Sequence, residues 1–281
     1  MMNLVLQAPA LDLDAARRIA AMAGARRSVA TSPNVLRAED VQLDLDARDA
    51  VYGAAHAAGM DATLIAAGRK LSDFALVAMD MDSTLITIEC IDEIADMQGL
   101  KPQVAAITEA AMRGEIEFRE SLTRRVALLR GLDAGALQRV YDERLRLSPG
   151  AQNMLDAVQA AGLKTLLVSG GFTFFTDRMK SRLKLDFTHS NQLEIVDGKL
   201  TGKVVGGIVD AEEKKATVER SCAALGVDTR RAIVMGDGAN DLKMMGIAGL
   251  SVAFRAKPVV RAQADVALNF SGLDGILNLF D

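Results

Sequence analysis

The chain has 281 residues, 50% apolar and 25% charged, enough for one or two sizeable cores and unlike a disordered or fibrous protein. Lys and Arg total 33 against 37 Asp and Glu, a formal net charge of -4, so nucleic acid and anionic membranes meet no general attraction and any bound anion must be held locally. No apolar stretch nears the roughly 20 residues that span a bilayer, the start MMNLVLQAPALDLD lacks a basic export segment, and the isolated Cys90 and Cys222 form neither a disulfide framework nor a zinc motif, which together predict a cytoplasmic protein.

In chain order, the spacing predicts a strand over 3–8, a helix over 13–23, strands over 27–30 and 37–43, a helix over 47–58 and a strand over 62–66. That βαββαβ order is the ferredoxin-like plan. The polar segment GRKLSD follows, placing a boundary near residue 70 and a first domain over 1–70. Four short apolar runs then occur at 74–79, 164–168, 232–235 and 250–253, separated by helical patterns, as the strands of a buried parallel sheet do. The first two are too far apart for a simple βα connection. Residues 89–147 are therefore expected to be an inserted helical cap, leaving 71–88 and 148–281 as the core. In NQLEIVDGKLTGKVV, Asp197-Gly198 divides two strand-like runs as a hairpin turn would and suggests a second, smaller insertion.

Three of these runs end in chemistry. The first stops at Asp80-Met81-Asp82-Ser83-Thr84, and in an open parallel sheet ligands lie beyond the carboxyl ends of strands. Carboxylates at i and i+2 can share one centre, one attacking an electrophile and the other moving a proton. The plainer reading is a helix cap beside a solvated aspartate. The run AIVM leads into Gly236-Asp237-Gly238-Ala239-Asn240-Asp241, whose acids, joined to Asp80, would suit a hard cation such as Mg²⁺, although Asp-Gly and Asn-Asp are also ordinary turn residues. TLLV ends in Ser169-Gly170-Gly171, a hydroxyl and open backbone amides suited to an anion or a tight turn. Lys214 and Lys215 in AEEKKAT read as a solvated helix face, and periodicity does not choose between them. In SLTRRVALL, counting about 100° per residue from Leu122 puts Arg125 between Leu128 and Leu129, inside the apolar stripe, with Arg124 outside it. A guanidinium there needs an internal carboxylate or an anionic ligand. Glu89 could recognise a cation or simply stand near a helix start.

The ordered set of Asp-x-Asp-Ser-Thr, Ser-Gly-Gly, a later lysine and Gly-Asp-Gly-x-Asn-Asp resembles the haloacid dehalogenase superfamily. DMDSTLITIECIDEIAD, SLTRRVALL, LVSGGF and GDGANDLKM resemble its phosphoserine phosphatase branch, from about residue 74 to the C-terminus. The resemblance implies a doubly wound α/β parallel sheet with a helical cap, and hydrolysis of O-phosphoserine, the last step of serine biosynthesis, through an aspartyl-phosphate. It implies Asp80 as nucleophile and Asp82 as proton donor and acceptor. It assigns Mg²⁺ to Asp80, the Asp82 carbonyl and Asp237, with Asp241 supporting. It assigns the phosphoryl oxygens to Ser169, the Gly170 amide, Lys214 rather than Lys215, and Asn240. Glu89 and Arg125 would read the amino and carboxyl groups, with Met112 and Phe118 as apolar cap contacts. A phosphatase for another small phosphomonoester, or an amino-acid-binding regulator with a silent core, are the competing readings. The N-terminal unit resembles an ACT-like domain, which implies an amino-acid effector site or a homodimer contact.

Overall fold

The computed structural model describes residues 1–112 and 115–281, the side chain of Met112 lying outside the described residues. The chain opens with β1 (Met2–Gln7), α1 (Leu13–Met22), β2 (Arg27–Ser32), β3 (Val35–Val41), α2 (Leu45–Ala57) and β4 (Asp61–Ala66). The four strands form an antiparallel sheet in the order β2-β3-β1-β4, the ferredoxin-like arrangement. Asp12 and Asp44 cap the two helices by accepting from first-turn amides, satisfying donors that a helix start leaves open. Strand alternation then decides the packing. Leu4, Leu6, Leu36 and Ala38 meet the helices, whereas Val5, Val35 and Ile65 face away and join the main hydrophobic core of the rest of the molecule.

That junction is also polar and specific. The buried Asp61 carboxylate accepts from the backbone amides of Asn269 (2.7 Å), Phe270 (3.2 and 3.3 Å) and Ser271 (2.8 Å). Arg37 reaches the Asn278 and Phe280 carbonyls and the Asp281 side chain. Phe74 packs edge-on against Phe280, with ring centroids 5.6 Å apart.

The second sheet has seven strands: β5 (Leu76–Met79), β6 (Lys164–Phe172), β7 (Phe187–Val196), β8 (Lys199–Val205), β9 (Ala232–Gly236), β10 (Leu250–Phe254) and β11 (Val266–Leu268). Their order is β11-β10-β9-β5-β6-β7-β8, parallel except where β8 turns back on β7. β5 is central, and its LVAM is buried on both faces: Val77 and Met79 in one core, Leu76 and Ala78 in the other. This is why it reads as a continuous apolar run.

Between β5 and β6 stand α3 (Cys90–Asp96), α4 (Lys101–Met112), α5 (Phe118–Leu128), α6 (Gly135–Arg139) and α7 (Ala151–Ala160); α8 (Thr173–Leu183) and α9 (Ala211–Ala224) follow β6 and β8. The strands entering and leaving the helical cap lie side by side, bridged at Ile86 and Leu147, with Thr87 donating to the Arg146 carbonyl at 3.0 Å and Ser148 to that of Leu85 at 2.9 Å. At the far end of α5, Gly131 donates to the Leu200 carbonyl and Ala134 to that of Gly198, each at 2.8 Å, so the β7–β8 hairpin braces the cap.

The structure departs from the sequence expectations at two places and adds one strand. The hairpin is no separate insertion, because β7 begins as a core strand paired with β6 and only later leaves the sheet; its opening FTHS carries too little apolar pattern to reveal this. β6 runs on through Ser169-Gly170-Gly171 to Phe172, with the ladder to β7 interrupted between Val168 and Phe172. β11, three residues long, was missed. No helix among the described residues is long and apolar enough to cross a membrane.

Candidate active site

Asp80 is the residue at which β5 runs out. Its Oδ1 accepts from the Met81 amide at 2.7 Å, and the side chain is buried, with the residue 5% exposed. This excludes the solvated aspartate of the plainer reading. The chain then reverses over Met81–Leu85, with Asp82 extended and Ser83 left-handed at φ 54°. That conformation costs a non-glycine residue about 1–2 kcal/mol. The turn aims two groups at the start of the cap: Asp82 Oδ1 accepts from the Cys90 amide at 3.0 Å, while Ser83 Oγ donates to Glu89 Oε1 at 2.7 Å.

β9 lies beside β5, Met79 opposite Met235, and delivers the Gly236–Asp241 turn to the same edge. Asp241 Oδ2 accepts from the amides of Asp237 (3.2 Å) and Gly238 (3.1 Å). A Cβ on Gly236 would stand 2.3 Å from Asp241 Oδ2, so glycine there makes room for this folded-back carboxylate. Lys214 enters from α9 with no exposed surface, its Nζ 2.8 Å from both Asp80 Oδ2 and Asp241 Oδ1. Lys215 points outward to Glu219 at 3.7 Å. The solvated-face reading therefore fails for Lys214, because α9 turns that one charged residue into the molecule.

Carboxylate oxygens of Asp80, Asp237 and Asp241 lie within 4.8 Å of one another. Three carboxylates against the single Lys214 ammonium leave two negative charges, and the donors are all hard oxygens. Such a set suits a divalent cation. Burial holds the Asp80 carboxyl well above its ordinary range, Asp241 adding to the effect and Lys214 opposing it. Burial, with Asp241 and Glu89, pushes Asp237 up to about 7. Burial and the charge of Glu89 push Asp82 up to about 7, against the pull of its Cys90 hydrogen bonds. Burial pulls the Lys214 ammonium the other way, but Asp241 and Asp80 outweigh it and keep it charged.

The third strand end supplies the opposite wall. Ser169 Oγ accepts from the Gly171 amide at 2.8 Å. The Gly170 carbonyl accepts from Asn191 Nδ2 at 2.7 Å, and Asn191 Oδ1 accepts from the Val209 amide at 2.8 Å. Asn191 thus fixes the loop from β7, a role no sequence pattern pointed to. A Cβ on Gly171 would fall 2.6 Å from Asp82 Oδ2, and one on Gly170 would fall 3.1 Å from the Phe118 ring. Asp82 stands against the Ser-Gly-Gly loop, and the cap places Phe118 over it.

Asp80, Asp82, Asp237, Phe118 and the Ser169–Gly171 loop line one cavity of about 780 Å³, which also admits Glu89, Arg125 and Asn240. Arg125 sits where the helical stripe puts it, between the buried Leu122, Val126 and Leu129, with Arg124 exposed and paired to Glu120 at 2.5 Å. Arg125 Nε makes one long contact, 3.4 Å to the Ser121 carbonyl, and no carboxylate lies within ion-pair distance of it among the described residues. Burial lowers its pKa while Asp92, Glu89 and Asp82 raise it from farther off. Of the residues singled out in the sequence, Asp80, Asp82, Glu89, Phe118, Arg125, Ser169, Gly170, Asp237 and Asn240 line this space, Lys214 and Asp241 support its floor, and the Met112 side chain falls outside the described residues.

The haloacid dehalogenase-like hydrolase family profile matches residues 77–246. A phosphoserine phosphatase of Polaromonas sp. is 60% identical over 215 residues, covering 75% of this chain and 91% of that protein. Over the whole fold the chain is similar to a HAD family hydrolase from Salmonella enterica subsp. enterica serovar Typhi, at 33% identity and a TM-score of 0.90, covering 100% of this chain and 99% of that one. It is also similar to a substrate-bound phosphoserine phosphatase complex, at 35% identity and a TM-score of 0.70, covering 74% of this chain and 99% of the other. With strand ends, site geometry and sequence in agreement, the chain belongs to the haloacid dehalogenase-like hydrolases.

Proposed function

We propose that this chain hydrolyses O-phospho-L-serine to L-serine and phosphate, the last step of serine biosynthesis. The observation that carries the reading is Asp80 and Asp82 side by side against the Ser169–Gly171 loop, beneath a cap arginine with no carboxylate in ion-pair distance among the described residues. Asp80 attacks phosphorus and the P–O bond to serine breaks, while Asp82, whose pKa raised to about 7 keeps a proton on part of the population at neutral pH, gives that proton to the leaving serine oxygen. Asp82 then takes a proton from the water that cleaves the aspartyl-phosphate, restoring Asp80. Ser169, the Gly170 amide, Lys214 and Asn240 orient the phosphoryl oxygens, which is most of what phosphoryl transfer demands of a protein. Glu89 pairs with the ammonium and Arg125 with the carboxylate of the substrate. Asp80, Asp237 and the Asp82 carbonyl would hold Mg²⁺, steadied by Asp241, and the ion would supply charge neutralisation at the transferring group. In this reading residues 71–88 and 148–281 carry the chemistry, 89–147 read the amino acid, and Phe118 closes over the loop.

A Mg²⁺-dependent phosphate-release assay tests the substrate. O-phosphoserine should exceed O-phosphoethanolamine, which lacks the carboxylate. Arg125→Leu should lower kcat/KM for phosphoserine by at least about 30-fold, as removing one partner of a desolvated ion pair does, and leave phosphoethanolamine little changed. Equal rates for the two esters in the parent enzyme would defeat the Arg125 assignment.

Proton linkage gives a second test. Without a cation, the folded chain keeps protons on Asp80, Asp82 and Asp237 at pH values where unfolded carboxyls have lost them. The folded state then binds more protons, so these groups lower stability as pH rises above the ordinary carboxylate range, the contributions of Asp82 and Asp237 running to about 7. A divalent cation needs the ionised forms and reverses the trend. The rise in Tm on adding Mg²⁺ should be larger at about pH 7.5 than at about pH 5; the same rise at both would contradict the assigned site.

A further inference from the structure

Most cations around the cavity have an acid of their own. Arg119 meets Asp210 at 2.6 Å, Lys243 pairs with Glu212, and Lys214 lies between Asp80 and Asp241. Two cations on the wall have no carboxylate within ion-pair distance among the described residues: Arg125, placed above on the substrate carboxylate, and Lys257.

Lys257 is fixed in position by its backbone. β10 runs beside β9 with Ala253 opposite Gly236, so the turns that follow the two strands are neighbours. Arg255 takes a left-handed conformation at φ 45° and donates its amide to the Leu268 carbonyl at 2.8 Å. The chain then swings back, and the Lys257 amide donates to the carbonyl of Asp237 at 3.1 Å. Its side chain leaves from a loop tied to the acidic turn by that bond, and it lines the cavity. From there its charge acts on both Glu89 and Asp237, opposing the upward push that burial gives each carboxyl. An exposed lysine ordinarily costs nothing to leave unpaired. One suspended over a concave, acid-rich site, without settling on any of those acids, is available to an incoming anion.

Charge balance says which anion. Arg125 lies in the cap on α5, whereas Lys257 stands on the loop that follows β10, its amide bonded to the Asp237 carbonyl, so it lines the cavity beside the acidic Asp237 turn. Asp80, Asp237 and Asp241 are balanced by Lys214 and one divalent cation, so a phosphate dianion arrives uncompensated. We propose that Lys257 is a second phosphate-side cation, holding the phosphoryl group of the substrate and the inorganic phosphate product against the Asp237 turn. The assignment rests on the phosphatase reading and adds a binding residue to that site.

The test uses the full chain with Mg²⁺ and inorganic phosphate as probe, titrated by calorimetry, beside phosphoserine kinetics. Lys257→Met should weaken phosphate binding and raise KM each by about tenfold, roughly what a partly exposed charge-assisted contact supplies, and Lys257→Arg should recover most of both. Mg²⁺ affinity without phosphate should be unchanged or tighter in Lys257→Met, because a repelling charge has gone. Phosphate affinity of Lys257→Met within twofold of the parent would overturn the proposal. So would a loss of phosphate binding accompanied by weaker Mg²⁺ binding and a lowered Tm, the pattern of a purely structural residue. A parent chain that binds phosphate but does not hydrolyse phosphoserine would defeat the proposed function and leave Lys257 in place.

Discussion

Asp80→Asn is expected to reduce phosphate release from phosphoserine by at least about four orders of magnitude, the scale on which removal of a covalent nucleophile acts. The substitution removes the attacking charge and also mismatches the site. Asp80 accepts on both oxygens, from the Met81 amide through Oδ1 and from Lys214 Nζ through Oδ2. An asparagine must present its NH₂ to one of these donors, whichever way it is turned. The fold should survive, because the variant also removes a buried carboxylate that Asp241 and Asp237 repel, and Lys214 keeps its bond to Asp241 at 2.8 Å. Melting curves without metal should therefore stay close to those of the parent. Acid-quenched parent enzyme should carry a phosphate adduct at residue 80 by mass spectrometry, and the variant none. Turnover surviving at a tenth of the parent rate would assign the attack to another group.

The largest effect on stability is expected far from the catalytic residues, at Asp61. The residue is 1% exposed, and its carboxylate receives the amides of Asn269, Phe270 and Ser271. Truncation to alanine leaves those donors without an acceptor at the junction of the two sheets, and orphaned buried donors cost about 1–3 kcal/mol each. A total of roughly 3 kcal/mol, allowing for partial hydration, corresponds to a fall in Tm of about 6–12 °C for a chain of this size. Asp61→Asn should lose less, since one oxygen still accepts. A change below about 1 °C for the alanine variant would show that the junction contributes little. Because Val5, Val35 and Ile65 belong to the same core as β5, the loss should appear in the whole transition and not as a separate early melt.

Asp61 was invisible in the sequence because its partners lie some two hundred positions away and are backbone amides, which carry no residue-type signal. Lys257 escaped for a related reason: it is brought to the site by an amide bonded to the Asp237 carbonyl. The four central strands were legible, since burial on both faces demands apolar runs, and so was Arg125, whose place in the stripe follows from helical geometry alone. Lys214 was harder. Its neighbours are charged, and only the packing of α9 against the sheet decides that this lysine turns inward while Lys215 does not. Motif order located the three strand ends, but the sequence could not show Asn191 tying one of them down, because that bond depends on β7 lying next to β6.

Because the two connectors of the helical cap leave the core side by side, bridged at Ile86 and Leu147, the central sheet experiences that large insertion as if it were a short loop. Swapping the lobe beyond α3 for one of different shape would leave Asp80, Lys214 and the Asp237 turn in place, so a protein built this way can acquire a new diet without relearning how to break a bond.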